Sequence, residues 1–406
     1  MGPAGRCLRG PAGVVAEETP VRILAFKKTL PWPLSSGQHL PTYHVLSRLA
    51  KAHELVFACW DGDRASPPRL PFKTVLRTLP QAHAAPGKVD KYLIEHYGMN
   101  AATIPWLRSL IDEFQPDVLF GVDYQTLIAL DGNADIPRAC YLIDNRWLQD
   151  VERLRREKTR QWANLKSVLW SYILHRRYAR AANAYIFVTD RDAAALGRFT
   201  DRECVGVPNG VDTEYFHPSA LHRSSGSVAF VGSLNFPPNV AAVGWFCREV
   251  WPIVRRSQPA ARLMLVGKRP VEEVLACHGR DGIRVAGDVP DVRPYLDWAA
   301  AAVVPMRSGG GIKNKILEAW AMAVPIVATS MSLHGLAAKA GENILTADEP
   351  VDFAKQVVRL LGDVELRARL GSRGRETVVR EHSWDRTAER IGQCLMAAQR
   401  PLVAVS

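Results

Sequence analysis

The stretch AAVVPMRSGGGIKNKILEA, residues 301–319, runs from an apolar segment through three glycines into a helix-forming segment. An apolar run, a glycine turn and a helical pattern in this order are typical of a buried strand that leads into a helix. Glycine lets the backbone approach a ligand closely, and the free N–H groups of a helix N-terminus bind phosphate. The stretch therefore predicts an α/β domain with an anion site in this loop.

Charged residues surround the same turn. Arg307, Lys313 and Lys315 flank the glycines, so up to three cations could neutralise a diphosphate. Glu318 shares a helix face with Lys315 and can accept hydrogen bonds from ribose hydroxyls. We therefore predict a nucleoside-diphosphate site. The alternative is that residues 309–311 are a flexible connection and that the charged side chains form a solvated helix face.

The glycine loop matches neither of two familiar phosphate-binding patterns. It lacks the G-x-x-x-x-G-K-[ST] sequence of P-loop NTPases and the G-x-G-x-x-G sequence of dinucleotide-binding dehydrogenases. Both of these enzyme classes therefore lose support.

Apolar runs of strand length recur along the chain, separated by helix-length segments. The first series comprises residues 21–26, 55–60, 117–122, 138–143 and 184–188, and the second comprises 228–231, 262–266, 283–286, 301–304 and 326–328. This alternation favours right-handed βαβ units and parallel sheets. We expect an α/β fold of two Rossmann-like doubly wound domains facing each other across a cleft, with ligands at the carboxyl ends of the strands.

The boundary between the two series lies at a strong turn signal, Pro-Asn-Gly at residues 208–210. We expect a disordered tail at residues 1–20, an N-terminal domain at 21–205 and a C-terminal domain at 206–382. The last segment, 383–406, is predicted to form a helix that packs back toward the N-terminal domain.

Composition excludes several classes of protein. Of the 406 residues, 47% are hydrophobic and 23% are charged, which is ordinary for a globular protein and argues against disorder or a collagen-like chain. The seven cysteines include no C-x-x-C pair, which argues against a disulfide framework or a structural zinc site and favours a reducing cytosol. No apolar run approaches the length of a membrane-spanning helix.

The chain carries a net charge of +11, from 52 Lys and Arg against 41 Asp and Glu, which indicates an anionic partner. Residues 151–180 hold nine Lys or Arg against two Glu, together with an apolar stripe at helical spacing. The stripe consists of Leu165, Val168, Leu169, Tyr172 and Ile173. A helix of this kind can lie on an anionic membrane surface. The alternative is that the stripe belongs to the core and the arginines form a solvated face.

Short motifs follow one another in a fixed order through the second half of the chain. They are PNGVD at 208–212, FVGSL at 230–234, LVG at 265–267, VAGDV at 285–289, GGGIKNKILEAWAMAVPIVAT at 309–329 and SWD at 383–385. In this order they resemble the donor domain of family 4 retaining glycosyltransferases of the GT-B fold, group 1 type. The first half resembles the family only in its layout of strands and helices.

The resemblance implies that the N-terminal domain binds an acceptor and the C-terminal domain a sugar nucleotide, whose hexosyl group is transferred with retention and without a metal or cofactor. Glu318 would hold the ribose, and N–H groups near residues 311–313 would meet the phosphates. Gly267 and the loop at 287–289 would border the base. The predicted donor-binding residues are Gly232, Gly267, Asp288, Val289, Arg307, Gly309, Gly310, Gly311, Ile312 and Glu318. The predicted catalytic residues are Asp144, Lys313 and Lys315, and no metal ligands are expected.

Three positions depart from the family's pattern. Gly310 stands where the family usually has a glutamate that touches the donor sugar. Ser233 and Asn239 stand where it usually has an arginine and a lysine that bind the diphosphate. Both diphosphate cations are therefore missing from their expected places. We hypothesise that the basic residues of the glycine loop, Arg307, Lys313 and Lys315, replace them.

Two features of the first half are predicted to face the cleft. Asp144, in the sequence YLIDN at 141–145, is what remains of a His-Asp pair that the family often has near the transferred sugar. Its alternative role is that of an ordinary turn or capping acid. Gly37 and Gln38 belong to a loop at 35–38 that is predicted to lie on the acceptor side.

We therefore expect a glycosyltransferase that uses a nucleotide-sugar donor and a glycan or lipid-linked acceptor in surface polysaccharide or glycoconjugate synthesis. It would be cytoplasmic and peripheral on the inner face of the membrane, which it would contact through residues 151–180. Two alternatives remain: a GT-B nucleotide-sugar epimerase, and a non-catalytic protein that binds sugar nucleotides or nucleic acid. No nucleic-acid partner is expected, because the chain has no helix-turn-helix signature or aromatic sheet motif.

Overall fold

The computed structural model describes residues 20–32, 34, 39–61, 69–80, 88–156, 161–219 and 224–399. Within these residues the chain forms two parallel β-sheets, each covered by helices. The predicted fold of two Rossmann-like doubly wound domains is confirmed. Most of the predicted tail at 1–20 lies outside the described residues, and so do residues 400–406.

The first sheet has seven strands in the order β3-β2-β1-β4-β5-β6-β7, all parallel. The strands are β1 (Arg22–Lys27), β2 (Glu54–Cys59), β3 (Lys73–Leu76), β4 (Val118–Val122), β5 (Arg138–Leu142), β6 (Ala184–Phe187) and β7 (Glu203–Gly206). The helices are α1 (His39–Ala52), α2 (Lys88–Tyr97), α3 (Thr103–Phe114), α4 (Leu127–Gly132), α5 (Arg146–Arg156), α6 (Gln161–Tyr178) and α7 (Asp190–Leu196), with a 3₁₀ turn at Tyr124–Thr126.

The second sheet has six parallel strands in the order β10-β9-β8-β11-β12-β13. The strands are β8 (Ser224–Val231), β9 (Arg262–Gly267), β10 (Ile283–Gly287), β11 (Ala299–Val304), β12 (Ile326–Ala328) and β13 (Leu345–Thr346). The helices are α8 (Pro237–Trp245), α9 (Trp251–Ser257), α10 (Glu272–Leu275), α11 (Arg293–Trp298), α12 (Asn314–Ala321), α13 (Pro350–Gly362), α14 (Val364–Glu381) and α15 (Trp384–Ala398). A π-helical turn at Phe246–Val250 joins α8 to α9, and a 3₁₀ turn spans Ser330–Leu333.

Burial on both faces explains the apolar runs in the sequence. All six residues of β11, AAAAVV, are buried, as are all residues of β4, β5, β6 and β12. Central strands of a parallel sheet are covered by helices on both sides, so they read as continuous apolar runs. In each sheet the strand order reverses at the first strand, which creates a crevice at its carboxyl end. In the second sheet this crevice lies beside β8 and β11.

Three strands were not predicted, namely β3, β7 and β13. Each lies at the edge of its sheet and has at most four residues. An edge strand is covered less completely and needs no continuous apolar run, so the pattern that identified the central strands misses it. The segment 151–180 also differs from the single helix expected, because it contributes to two helices, α5 and α6, which pack against each other.

The chain passes between the sheets twice, and the two passages touch. Val211 and Ser383 form a parallel bridge, and the Val211 N–H donates to the His382 carbonyl at 2.8 Å. A Cβ on Gly210 would come within 2.4 Å of the Trp384 nitrogen, which explains the glycine of the PNG turn. Beyond this crossing, α15 packs against α1 and against β5 and β6 of the first sheet.

Candidate functional site

A cavity of about 350 Å³ opens at the crevice of the second sheet, where it faces the first domain. The loops that follow β8 and β11 and the start of α12 line one side, and Leu34 and Leu40 of the first domain line the other. Seven predicted site residues line this cavity: Gly232, Gly309, Gly310, Ile312, Lys313, Lys315 and Glu318. Sequence reasoning therefore located most of one side of the cavity.

Two of the three loop glycines have a backbone that favours glycine. Gly309 has φ 99° and Gly311 has φ 68°, both in the left-handed region. Gly310 has no such φ, and a Cβ on it would meet only the Gln149 amide nitrogen, at 3.9 Å. The backbone conformation therefore favours glycine at positions 309 and 311, whereas position 310 has space for a side chain.

Lys313 stabilises the glycine loop from within. Its ammonium group donates to the carbonyls of Gly309, Gly310 and Gly311 at 2.9, 2.8 and 2.9 Å. A lysine ammonium has three N–H donors, and these bonds use all of them. Burial lowers the pKa of Lys313 to about 8, while the charge of Asp144 acts in the opposite direction. Lys313 thus holds the shape of the loop and does not direct a free donor into the cavity.

Lys315 reaches back from α12 to the end of β8. Its ammonium donates to Asn239 Oδ1 at 2.6 Å and contacts the Met306 sulfur at 3.6 Å. A Cβ on Gly232 would lie 3.2 Å from the ammonium nitrogen, so the glycine leaves room for it. Burial lowers the pKa of Lys315 to about 7, with a further contribution from the charge of Lys313. A cation is thus placed at the end of β8, although the residues that follow this strand are neutral.

Asn239 is a site residue whose partner the sequence did not reveal. Its side-chain oxygen accepts from Lys315, and its amide donates to the Ser233 carbonyl at 2.8 Å. The signal was present as a departure from the family's pattern, because an amide stood where a lysine was expected. A neutral acceptor at that position is what a lysine arriving from α12 requires.

Glu318 lines the cavity from the same helix as Lys315, three residues further along. Burial raises the pKa of Glu318, and the charge of Lys315 opposes this shift. The two side chains therefore place one cation and one carboxyl group side by side at the cavity wall.

Four predicted residues, Arg307, Gly267, Asp288 and Val289, line neither this cavity nor the smaller one described below. Arg307 is exposed, and its guanidinium lies 5.1 Å from the centre of the Trp245 ring. Gly267, at the end of β9, lies against the backbone of Gly232, because a Cβ on it would come within 1.7 Å of the Gly232 carbonyl oxygen. These positions shape the strand ends around the cavity.

Asp288 and Val289 lie on the loop that follows β10. The Asp288 carboxylate accepts from the Arg269 backbone N–H at 2.9 Å, and its own N–H donates to the Gly267 carbonyl at 2.9 Å. Asp288 therefore ties together the loops that follow β9 and β10. Val289 is partly buried and packs against the core of the second domain.

Asp144 faces the glycine loop from the first domain. It lines a smaller cavity of about 180 Å³ together with Asp192 and residues 309–311. A Cβ on Gly311 would lie 3.2 Å from Asp144 Oδ1. Burial raises the pKa of Asp144, and the nearby Asp192 adds to the effect, while a hydrogen bond from Gln149 and the charge of Lys313 oppose it. The structure thus brings Asp144 and the loop held by Lys313 together across the cleft.

Asp192 was missed by sequence reasoning. It caps α7 together with Thr189, whose hydroxyl donates to Asp192 Oδ2 at 2.5 Å, and it accepts from the Asn145 N–H at 3.1 Å. The pattern Thr-x-x-Asp after β6 was the available signal, since it is typical of a helix start. Asp192 thereby fixes the loop that follows β5 and carries Asp144.

Gly37 and Gln38, which were predicted to lie on the acceptor side, are outside the described residues. Among the residues that are described, no group of three or more His, Cys, Asp or Glu side chains is placed to hold a metal ion. None of the described helices is long and apolar enough to cross a membrane.

Two family models match the chain in succession. Residues 36–215 match the model described as Glycosyltransferase Family 4, and residues 225–363 match the model described as Glycosyl transferases group 1. The first range covers most of the seven-stranded domain, and the second contains the strands and the glycine loop that form the cavity.

Curated relatives match over shorter segments. A lipopolysaccharide core biosynthesis glycosyltransferase of Rhizobium meliloti is 38% identical over 104 residues, which is 25% of this chain and 30% of the relative. A GDP-mannose-dependent mannosyltransferase of Corynebacterium glutamicum, named for a monoacylated phosphatidylinositol monomannoside, is 26% identical over 215 residues, 48% of this chain and 56% of the relative. The chain thus spans about half or less of the curated relatives that it matches.

The fold as a whole is similar to solved structures. A sucrose-phosphate synthase from Thermosynechococcus elongatus superimposes with a TM-score of 0.66 at 17% identity, over 92% of this chain and 98% of the other. At this level of identity the similarity concerns the two-domain fold.

Proposed function

This chain belongs to the group 1 glycosyltransferases of family 4, and we propose that it transfers a hexosyl group, with retention, from a nucleoside-diphosphate sugar to a glycan or lipid-linked acceptor. The observation that carries the proposal is the Lys315 ammonium, held by Asn239 at the cavity wall beside Gly232 and Glu318. Its place at the end of β8 supports a role in binding the diphosphate that the neutral Ser233 and Asn239 cannot perform.

In the proposed reaction the bond between the anomeric carbon and the phosphate oxygen breaks, and the acceptor oxygen bonds to the same face of that carbon. The acceptor proton passes to the leaving phosphate, so no protein nucleophile is needed. Negative charge grows on the diphosphate as the bond breaks. Lys315 and the N-terminus of α12 stabilise this charge and make a metal ion unnecessary.

The remaining residues act around this centre. Glu318 accepts hydrogen bonds from the ribose, and its place beside Lys315 supports this role. Asp144 lines the smaller cavity, which shares Gly309 and Gly310 with the larger one, and its carboxylate faces Gly311 across the cleft, so we assign it to the sugar and acceptor side. Lys313 acts as a positioning residue, since its donors are used within the loop.

We further propose that the acceptor belongs to surface polysaccharide or glycoconjugate synthesis, on the cytoplasmic face of the membrane. The names of the two relatives support this, because one refers to lipopolysaccharide core biosynthesis and the other to an acylated phosphatidylinositol acceptor.

A donor screen tests the proposal. UDP-, GDP-, ADP- and dTDP-sugars are compared by thermal shift, because a ligand at 100 times its Kd stabilises a protein by about 2.7 kcal/mol. With the donor that binds, slow hydrolysis and release of nucleoside diphosphate identify an enzyme, and NMR of the glycoside product identifies the anomeric configuration. Binding without any turnover would instead indicate a non-catalytic sugar-nucleotide protein.

The matched variants are Lys315→Met in the cavity and Lys355→Met on the exposed surface of α13. We expect the first to weaken donor binding about 10- to 100-fold, as loss of a hydrogen bond to a charged group does, and the second to have no effect. Equal donor affinity in both variants would refute the assignment of Lys315.

A further inference from the structure

The helix α6 presents an apolar face to solvent. Trp162 is 85% exposed, Leu165 48%, Leu169 56% and Ile173 36%. The side that packs into the protein is more polar, since it includes Asn164, Ser171 and His175 beside Leu174 and Tyr178. The stripe that the sequence singled out therefore does not belong to the core, and burial within this domain does not explain it.

Basic residues share this face. Lys166, Arg176 and Arg177 are exposed, and α6 contains no acidic residue. None of the three forms an ion pair with another residue in the described part of the chain. Apolar and aromatic side chains combined with unpaired cations match the chemistry of an anionic lipid surface, where rings insert and cations meet headgroups.

The same charges argue against a symmetric contact between two copies of the chain. In such a contact a surface patch meets its own counterpart, so the three cations of each copy would be brought into one interface with no acidic residue of α6 to balance them. An anionic surface carries the opposite charge and therefore neutralises these cations directly.

The buried side of α6 reaches the cleft through a short chain of contacts. His175 lies 3.4 Å from the Tyr124 hydroxyl. That hydroxyl donates to the Asp144 carbonyl at 3.1 Å and accepts from the Arg146 N–H at 3.0 Å. The exposed face and the loop that carries Asp144 are thus fixed to one another through Tyr124.

We propose that the outward face of α6, formed by Trp162, Leu165, Lys166, Leu169, Ile173 and Arg176–Arg177, docks on an anionic lipid bilayer. Docking holds the Asp144 side of the cleft at a fixed position above the headgroups, where a lipid-linked acceptor would be presented. This inference rests on the proposed function for the identity of the acceptor but not for the binding itself.

Co-sedimentation tests the surface directly. The full chain is mixed with vesicles of phosphatidylcholine alone or of phosphatidylcholine with phosphatidylglycerol, at low and at high salt. We expect binding only to the vesicles that contain phosphatidylglycerol, with a strong decrease at high salt. Salt-insensitive binding, or no binding to either vesicle, overturns the proposal.

Two variants separate the contributions of the face. Removing its three cations with Lys166→Gln, Arg176→Gln and Arg177→Gln should lower vesicle affinity by roughly a hundredfold, from the usual contribution of each basic residue. Leu165→Ser with Leu169→Ser should lower it by at least about tenfold through lost apolar contact. One matched control replaces three exposed cations elsewhere, Lys51, Arg256 and Arg284, by Gln. The other replaces two exposed apolar residues elsewhere, Leu275 and Val364, by Ser. Equal losses in the controls overturn the assignment to α6.

Donor hydrolysis without vesicles provides a separate readout. We expect the α6 variants to keep it, because none of these residues lines the cavity. If wild type transfers sugar to a soluble acceptor but binds no vesicle, the inference fails and the proposed function stands. If wild type binds vesicles through α6 but turns over no donor, the proposed function fails. Light scattering that shows a dimer dissociated by the leucine variant would assign the face to a second copy, and so overturn the lipid proposal.

Discussion

Lys315 illustrates how a single side chain can supply charge to a distant part of the chain. The residues that follow β8, Ser233 and Asn239, are neutral, and the cation comes instead from the neighbouring helix α12. Its burial is tolerated because Asn239 accepts one hydrogen bond and Phe230 presents its ring face at 4.7 Å. Because burial lowers the pKa of Lys315 to about 7, a bound anion favours its charged form most strongly at and above that pH.

We therefore expect the protein to take up protons when the donor binds. In the free protein the pKa of Lys315 is lowered to about 7 by burial, so above that pH the side chain is mostly neutral. A diphosphate favours the charged form and raises this pKa, so binding at pH 8 adds a proton, and affinity falls as pH rises through this range. Calorimetry in buffers of different ionisation enthalpy measures the uptake.

The control for this measurement is Lys315→Met, which should lose most of the uptake. Lys313, whose pKa is lowered to about 8, accounts for what remains. Proton release on binding would contradict the sign of the prediction.

The glycine loop allows a second test at the same scale. Gly311→Ala places a side chain at φ 68° and within 3.2 Å of Asp144 Oδ1. We expect a loss of about 1–2 kcal/mol of stability from the left-handed backbone, together with a strong decrease in turnover. Gly310→Ala, which has space and no positive φ, should be nearly neutral. Thermal unfolding and donor turnover measure both, and equal effects would refute the distinction between the two glycines.

The sequence predicted the loop but not the roles within it. The apolar run, the glycines and the basic residues predicted the donor site because each is a local signal. The role of Lys313 depends on three carbonyls that converge only when Gly309 and Gly311 adopt positive φ, so residue type alone could not reveal it. In the same way, helical period predicted the stripe on α6 but not which side faces the protein.

At the scale of elements, the site is a junction between the first turn of α8 and α12. Asn239 in the first and Lys315 in the second act as a pair, and the ends of β8 and β9 touch at Gly232 and Gly267. The central strands that form this junction were predictable because they are buried on both faces. The edge strands β3, β7 and β13 were not, and they lie away from the cavity.

The pair can be tested by moving the charge. Asn239→Lys alone brings a second ammonium close to Lys315, and like charges should lower both stability and donor affinity. When Asn239→Lys is combined with Lys315→Met, a single cation is present again, now supplied by α8 in place of α12, so donor affinity should recover. We expect a coupling of about 1–3 kcal/mol, measured as a double-mutant cycle of donor Kd. If the effects of the two substitutions on donor Kd are additive, residues 239 and 315 do not contribute to the same contact with the donor.

At the scale of the whole molecule, two sheets face each other, and the chain crosses between them where Val211 pairs with Ser383. The first core is completed by the last helix, because Ile391 and Leu395 of α15 are buried among residues of α1, β5 and β6. Integrity of the first domain therefore depends on residues far from it in sequence.

Truncating one of these side chains should destabilise the first domain selectively. Ile391→Ala removes a fully buried side chain and is expected to cost about 2–5 kcal/mol. Limited proteolysis should then cleave the first domain sooner, while donor-induced thermal stabilisation of the second domain persists. Glu389→Ala, on the exposed side of the same helix, serves as the control. Equal protease resistance in the two variants would contradict this dependence.

The packing of α15 against the first domain also affects the order in which the two domains can fold during synthesis. A ribosome makes the seven strands of the first sheet before those of the second sheet, and the helix α15, which covers β5 and β6, follows both. Domains generally fold as they emerge, N-terminal first. Here the second domain can be finished before the first, whose apolar surface beside β5 and β6 stays uncovered until α15 has been made.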